Sequence, residues 1–434
     1  MKTYAEVTLW ETPIGAVSID APDGVARFEY NRAFLESGIE LSPLKMPASD
    51  KVYQFAGLSR ESFHGLPGLL ADSVPDKFGN ALIDTWLASK GRQAKSFNPV
   101  ERLCYIGKRG MGGLEFSPMQ GPRPRKSERL HVDQLVELAS EILQHRDQLQ
   151  TRFNDTESSE ALREILRVGT SAGGARAKAV VAWHPETNEV RSGQVKAPEG
   201  FGYWLLKFDG VANNKDKEAS DPQGYGAIEY AYSLMAKDCG IDMSDCHLLE
   251  ENGRRHFMTR RFDRLADGSK LHMQTLGALA HFDYNMAGAH SYEQAMLTIR
   301  QLDLGMDALV EQYRRMLFNI IARNQDDHVK NIAFLMNKRG RWQLSPAYDL
   351  IYSYNPEGAW TSRHQMTING KRDRFTLADF EAVARAADIQ SSLAKKILQD
   401  TQATVRNWPD YANQAGVEAG QREQILKTLR INNL

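Results

Sequence analysis

Polar and charged side chains crowd one short segment, Asn324-Gln325-Asp326-Asp327-His328-Val329-Lys330-Asn331, and a further carboxylate, Asp349, closes the run Ser345-Pro346-Ala347-Tyr348-Asp349. These residue types suit phosphoryl transfer. That reaction needs one carboxylate to orient the attacking hydroxyl. It also needs a carboxylate and an amide oxygen to hold Mg²⁺ against nucleotide phosphates. Asp326 precedes Asn331 by five positions, which makes Asp326 the candidate base and Asn331 and Asp349 the candidate metal ligands. Asp327 lacks that offset and is assigned a structural or charge-tuning role. Either motif alone also fits a hydrogen-bonded polar loop with capping Asp and Asn side chains; their order and combination favour the chemistry.

The surrounding elements are those needed to position such a set. Leu309, Tyr313, Met316, Leu317 and Ile320 fall at helical spacing, with Asp307 placed as N-cap, and predict a buried helix running into Asn324. Beyond the polar segment, Ile332-Ala333-Phe334-Leu335-Met336, a turn at Asn337-Lys338-Arg339-Gly340 and Arg341-Trp342-Gln343-Leu344 predict a hairpin. A catalytic Asp, an Asn five residues on, a hairpin and a second metal-binding Asp is the order found in protein kinases. Upstream, Val168-Gly169-Thr170-Ser171-Ala172-Gly173-Gly174-Ala175-Arg176-Ala177-Lys178 is a Gly-rich loop entering a strand. Its backbone N–H groups can face phosphate. It is neither a Walker A nor a G-x-G-x-x-G loop, and an ordinary hairpin turn fits it equally. Lys207 lies within the otherwise apolar strand Tyr203–Phe208; a lone strand Lys is usually an edge or surface residue, but one strand after a Gly-rich loop it can pair with the α- and β-phosphates. Glu229, on the following helix, is its candidate counter-ion, and a surface helix carboxylate is an equal alternative.

The chain as a whole has 434 residues, 42% hydrophobic and 25% charged, with a net charge of −1. That balance excludes a globally basic nucleic-acid binder. Strand patterns at Val7–Trp10 and Ala26–Tyr30 flank the turn Asp20–Gly24, and a helical pattern covers 79–89. The stretch Ser117–Lys126, rich in Pro, Gly and basic residues, reads as an exposed linker. Further helices are expected at 132–144 and from Ile228 to Lys237, the latter capped by Gly240. Strands are expected at Ala177–Trp183, Tyr203–Phe208, 247–250 and 256–260, and mostly helix after 275. Strands first and helices after define an α+β fold with a sheet-rich small lobe and a helical large lobe. The three cysteines, Cys104, Cys239 and Cys246, show no metal or redox spacing and fit free thiols in a reducing cytoplasm. The N-terminus lacks a signal-peptide h-region, and no apolar stretch reaches the length of a membrane span.

With these parts in order, the sequence resembles the HipA family of serine/threonine kinases, the toxins of bacterial HipBA toxin–antitoxin modules. The resemblance runs through Leu9-Trp10, Phe28-Glu29-Tyr30 and Ser73-Val74-Pro75-Asp76-Lys77-Phe78-Gly79-Asn80. It continues through Gly173 to Lys178, Arg261-Phe262-Asp263-Arg264, Asn324 to Asn331, Leu344 to Asp349 and Ile368-Asn369-Gly370-Lys371. It implies a protein-kinase-like two-lobed body with an N-terminal mixed α/β subdomain. The implied divisions are a subdomain over 1–116, a linker over 117–130, a small lobe with Gly-rich loop and hinge over 131–264, and a helical large lobe over 265–434.

It also implies roles at matching positions. ATP and Mg²⁺ would be the cofactors. Asp326 would be the base, Asn331 and Asp349 the metal ligands, and Lys207 an ATP ligand; His328 and Lys330 would contact phosphates. Gly173, Gly174, Ala175, Arg176, Ala177 and Lys178 would cover the phosphates. Arg260, Arg261 and Phe262 would form the adenine hinge, with Gln274 and Tyr348 completing the nucleotide site. The family often carries an acidic residue where Arg260 stands. Ser171 matches the family's autophosphorylated serine, with Thr170 the adjacent alternative. A phosphate of about −2 charge there would compete with those of ATP. The implied partners are a HipB-like helix-turn-helix antitoxin, DNA mainly through that antitoxin, and a cytosolic protein acceptor such as an aminoacyl-tRNA synthetase, with no membrane. Two other readings stand beside this one: a catalytically weak corepressor partner of the antitoxin, and a small-molecule kinase.

Overall fold

Strand β1 (Thr3–Leu9) buries Ala5, Val7 and Leu9 and turns Tyr4 and Glu6 outward, the two-residue period of a sheet with one covered face. It pairs antiparallel with β2 (Thr12–Ile19) through Trp10 and Glu11, both at positive φ (50° and 67°). The sequence reading missed β2 because this tight turn carries none of the Asn-Gly or Asp-Gly chemistry that marks such turns. With β3 (Arg27–Tyr30), β4 (Val52–Tyr53) and β5 (Leu114–Ser117), these form a five-stranded sheet of order β4-β3-β2-β1-β5. The computed structural model describes residues 3–122, 127–144, 164–169, 176–211 and 224–431, together with the backbone of 215–216 and 219–220.

Of residues 117–122, Ser117, Pro118 and Gln120 are exposed, while Gly121 is buried. The Gln120 N–H donates to the Cys104 carbonyl at 2.9 Å. Gly121 lies so close to Tyr105 that a Cβ would meet its carbonyl oxygen at 2.2 Å. Glycine is required there for that approach.

The second sheet holds β6 (Lys178–Trp183), β7 (Val190–Ser192) and β8 (Gly202–Lys207). β9 (Lys215–Asp216) and β10 (Ala219–Ser220) pair only with each other. β11 (Cys246–Glu251) and β12 (Arg254–Arg260) complete the antiparallel order β11-β12-β8-β6-β7. Helix Tyr225–Asp238 packs on β11 and β12, and Gly240 beyond it takes φ 77°, as a left-handed cap requires. Over the other side, Leu135 and Val136 of helix Val132–Gln144 share a core with Val181 and Leu206 of the sheet and with Phe78 and Leu82 of helix Lys77–Ser89. The N-terminal subdomain thus lends a helix to the small lobe's core.

The large lobe is helical, centred on Gly305–Ile321, whose Leu309, Tyr313, Met316, Leu317 and Ile320 are all buried. This helix starts two residues before Asp307. Asp307 is therefore in the first turn and not the N-cap, where its charge still favours the helix N-terminus. A small sheet, β13 (His272–Thr275), β14 (Ala333–Met336) and β15 (Trp342–Leu344), carries the expected hairpin, with Gly340 at φ 73° in its turn. The result is the α+β, two-lobed, kinase-like architecture expected from the sequence.

Candidate active site

The central helix ends at Ala322, and Arg323 at φ 59° turns the chain sharply into Asn324. Asn324 then holds two strands of the site together: its Nδ2 donates to Asn319 Oδ1 at 2.9 Å and to the Asp349 carbonyl at 3.2 Å. The loop from Asp326 to Asn331 closes on itself. The His328 N–H donates to the Asp326 carbonyl at 2.9 Å, and Asn331 Nδ2 donates to the same carbonyl at 3.0 Å. That bond is the physical content of the five-residue spacing. An amide that donates through Nδ2 keeps Oδ1 as its acceptor end, the atom a hard cation takes. Asp349 itself sits at φ 53°, a left-handed conformation that Asp tolerates better than most residues.

Asp326, His328, Lys330, Asn331, Tyr348 and Asp349 line one cavity of about 1160 Å³, together with Arg176, Lys178, Lys207 and Glu229 from the small lobe. Lys178 and Lys207 stand directly opposite each other on β6 and β8. Like charges in that relation repel. Lys207 is compensated by Glu229 at 2.5 Å and by a second ion pair to Asp349. Burial alone would lower the Lys207 ammonium, but Asp349 and Glu229 outweigh it and hold it above its ordinary value. For Asp349, burial opposes ionisation, yet Lys207 and Lys178 keep the carboxyl well below the usual carboxylate range. Burial pushes Lys178 down and Glu229 up, the latter in spite of Lys207. Two opposed lysines converging on one cavity form a site for a polyanion. One carboxylate and one amide oxygen beside them fit Mg²⁺, which completes its shell with phosphates and water rather than a protein cage. Among the described residues no cluster of three or more His, Cys, Asp or Glu groups exists that would favour a caged metal instead.

Other residues singled out from the sequence fall differently. Arg260, Arg261 and Phe262 border the cavity, but the Arg261 guanidinium turns into a buried ion pair with Asp263 at 2.6 Å. The N–H groups of Arg260 and Arg261 already donate to Asp245 and Tyr203 carbonyls, at 2.8 Å each. The Phe262 ring, 5.6 Å from that of Tyr348, is the part of this segment available to flank a base. Gln274 is not at the cavity. β13 alternates, so Met273 and Thr275 face it, while Gln274 points the other way and donates to the Leu41 carbonyl. Ala177 is buried in the small-lobe core and accepts from the Phe208 N–H at 3.1 Å. Gly173, Gly174, Ala175, Ser171 and Thr170 lie outside the described residues.

Asp327 is buried and fully engaged. It accepts from the Tyr292 hydroxyl at 2.8 Å, from His364 Nδ1 at 2.9 Å and from the Gln365 N–H at 2.8 Å. Two site residues have no role assigned from the sequence. Asp76, from the N-terminal subdomain, pairs with Lys330 at 2.8 Å. Trp360 donates its indole N–H to Asp326 Oδ1 at 2.6 Å. Neither is near its partner in sequence, so spacing could not find them.

Comparisons with known proteins show a family and a fold. A family model described as the HipA-like C-terminal domain matches residues 170–408, and one described as the HipA N-terminal domain matches residues 5–117. The curated "Putative kinase" of Haemophilus influenzae is 28% identical over 136 residues, 28% of this chain and 40% of that protein. "Putative kinase Y4dM" of Sinorhizobium fredii is 23% identical over 238 residues, 49% of this chain and 54% of that protein. The alignments thus span only about half or less of these relatives. Among solved structures, a chain from the Shewanella oneidensis MR-1 toxin–antitoxin complex of HipA, HipB and operator DNA superposes with a TM-score of 0.66 at 17% identity. The match covers 98% of this chain and 96% of that one. At that identity it is the fold that is shared.

Proposed function

The chain belongs to the HipA family, and from that premise we propose that it is an ATP- and Mg²⁺-dependent serine/threonine protein kinase of HipA type. The observation that carries this reading is the convergence of the opposed pair Lys178 and Lys207 with Asp326, Asn331 and Asp349 on one cavity. Lys207, held by Glu229, would take the α- and β-phosphates, and Lys178 would add a second positive charge. Asn331 and Asp349 would hold Mg²⁺, which when bound supplies charge neutralisation at the phosphates. Asp326 would orient the acceptor hydroxyl and take its proton.

The acceptor we propose is a cytosolic protein, with aminoacyl-tRNA synthetases the class implied by the family, so that phosphorylation would halt translation. Autophosphorylation at Ser171, or at Thr170 beside it, would limit the activity. A HipB-like antitoxin would be the partner and would make the DNA contacts. The solved relative was captured with HipB and operator DNA. Among the described residues no helix is long and apolar enough to cross a membrane.

The test is incubation of wild type and Asp326→Asn with γ-labelled ATP and either lysate proteins or a metabolite pool. Label on lysate proteins that depends on Asp326 supports the reading. Label only on metabolites makes the chain a small-molecule kinase, and equal transfer by Asp326→Asn removes Asp326 as the base. Label on the chain itself, lost in Ser171→Ala or in Thr170→Ala, locates autophosphorylation.

A further inference from the structure

One loop joins the two halves of the phosphotransfer site. It leaves Asp349, passes Trp360 and returns at Gln365, and it is bonded to the catalytic segment along its length. The Ser353 N–H donates to the Arg323 carbonyl at 3.0 Å. Gln325 Nε2 donates to the Thr361 carbonyl at 3.0 Å, and Gln365 Nε2 to the Trp360 carbonyl at 2.6 Å. Gln325 and Gln365 are both buried, and the carbonyls they hold are half-buried. Their joint effect is to hold the Trp360 backbone in register with the catalytic segment, from where its indole N–H reaches Asp326 Oδ1 at 2.6 Å.

We propose that Trp360 is a positioning residue for phosphotransfer, which fixes the rotamer of the Asp326 carboxylate. The inference rests on the reading of Asp326 as the base. An indole N–H is a donor only, and a carboxylate oxygen accepts it. A hydrogen bond to a charged group at this short distance is among the stronger kinds. It removes the side-chain freedom a lone Asp would have to lose at each turnover. The same loop begins at the candidate metal ligand Asp349, whose carbonyl Asn324 holds. The base and the metal carboxylate are thus set by a single bonded unit.

The test has two arms. In the first, the indole N–H resonances of the seven tryptophans are recorded for wild type, Asp326→Asn and Trp360→Phe. The resonance lost in Trp360→Phe identifies Trp360, and it should move in Asp326→Asn, where an amide replaces the carboxylate. An unmoved resonance overturns the contact, whatever the enzyme's activity. In the second arm, Trp360→Phe, which keeps the ring and loses the donor, should lower kcat roughly tenfold. The KM for ATP should be unchanged. Wild-type kcat in Trp360→Phe overturns the positioning role. If Trp360→Phe does not fold, Trp360→Leu takes its place in both arms, with the same criteria. If wild type transfers no phosphate at all, the base reading fails while the first arm still decides the contact.

Discussion

Asp76 and Lys330 lie 254 positions apart in the chain, yet the Asp76 carboxylate embraces the Lys330 ammonium with both oxygens, at 2.8 and 3.0 Å. The pair is mostly buried, with side-chain exposures of 14% and 18%. Burial alone would lower the Lys330 ammonium, but Asp76 foremost, with Tyr284 and Asp72, holds it above its ordinary value. The N-terminal subdomain thus helps set the charge state of a catalytic-segment lysine. Removing one partner of such a pair strands the other. We expect Asp76→Ala to cost about 3 kcal/mol of stability in urea unfolding. In the folded fraction it should raise the KM for ATP, because Lys330 loses the group that aims it. Wild-type values for both would show that the contact does neither.

Lys207 and Glu229 provide a second test, because Glu229 is only 2% exposed and Lys207 11%. Lys207→Met should abolish phosphotransfer and destabilise the fold by about 3–5 kcal/mol, since it leaves a buried carboxylate without its cation. Glu229→Gln should cost less, because Lys207 keeps Asp349. The double variant Lys207→Met with Glu229→Met should recover most of the stability and none of the activity. Denaturant midpoints and ATP turnover, measured together, separate the structural from the catalytic contribution of the pair.

Acid should weaken the fold through its buried histidines. Burial pushes His256 and His272 from 6.5 to about 4 in the folded chain. The geometry agrees for His256, whose Nδ1 accepts from the Asp209 N–H at 2.9 Å and so carries no proton there. His281, also pushed down to about 4, accepts similarly from the Gly68 N–H at 3.1 Å. Between pH ~6.5 and ~4 the unfolded chain therefore binds protons that the folded chain refuses. Stability is full above that window and falls as pH drops through it. Each of the two fully buried histidines contributes up to about 1.4 kcal/mol per pH unit. Unfolding free energies at pH 7, 6 and 5 should show this slope, and His256→Gln should flatten it.

The pairing of Asp326 with Asn331 was legible because it is local: the two are linked by a bond whose span equals their sequence offset. Lys207 was singled out for its place one strand after the Gly-rich loop, because a lone strand Lys is by itself usually an edge or surface residue. The failures also have physical causes. β2 is entered through Trp10 and Glu11, a positive-φ turn built without glycine. Gln274 was assigned by match alone, and one residue of strand register decides which way it faces. Asp76 and Trp360 reach the site only through tertiary packing, and no period in the sequence encodes that.

Asp326 and Asp327 are adjacent, and the structure gives them opposite surroundings. Asp327 is enclosed by Tyr292, His364 and the Gln365 N–H. Burial lowers His364, and Asp327 opposes that shift. Asp326 instead lines the cavity. Asp326→Asn keeps the shape and the acceptor oxygen for Trp360. It should fold with a stability within about 0.5 kcal/mol of wild type and lose at least about 10²-fold in kcat. Asp327→Ala removes acceptors from three donors in a dry network. It should lose about 3 kcal/mol of stability or more, while molecules that remain folded at low temperature retain phosphotransfer well above that of Asp326→Asn. Activity per folded molecule, with the folded fraction read from denaturation curves, decides between the two carboxylates. A reversed pattern, with Asp327→Ala stable and inactive, would move the base to Asp327 and break the link between the five-residue offset and catalysis.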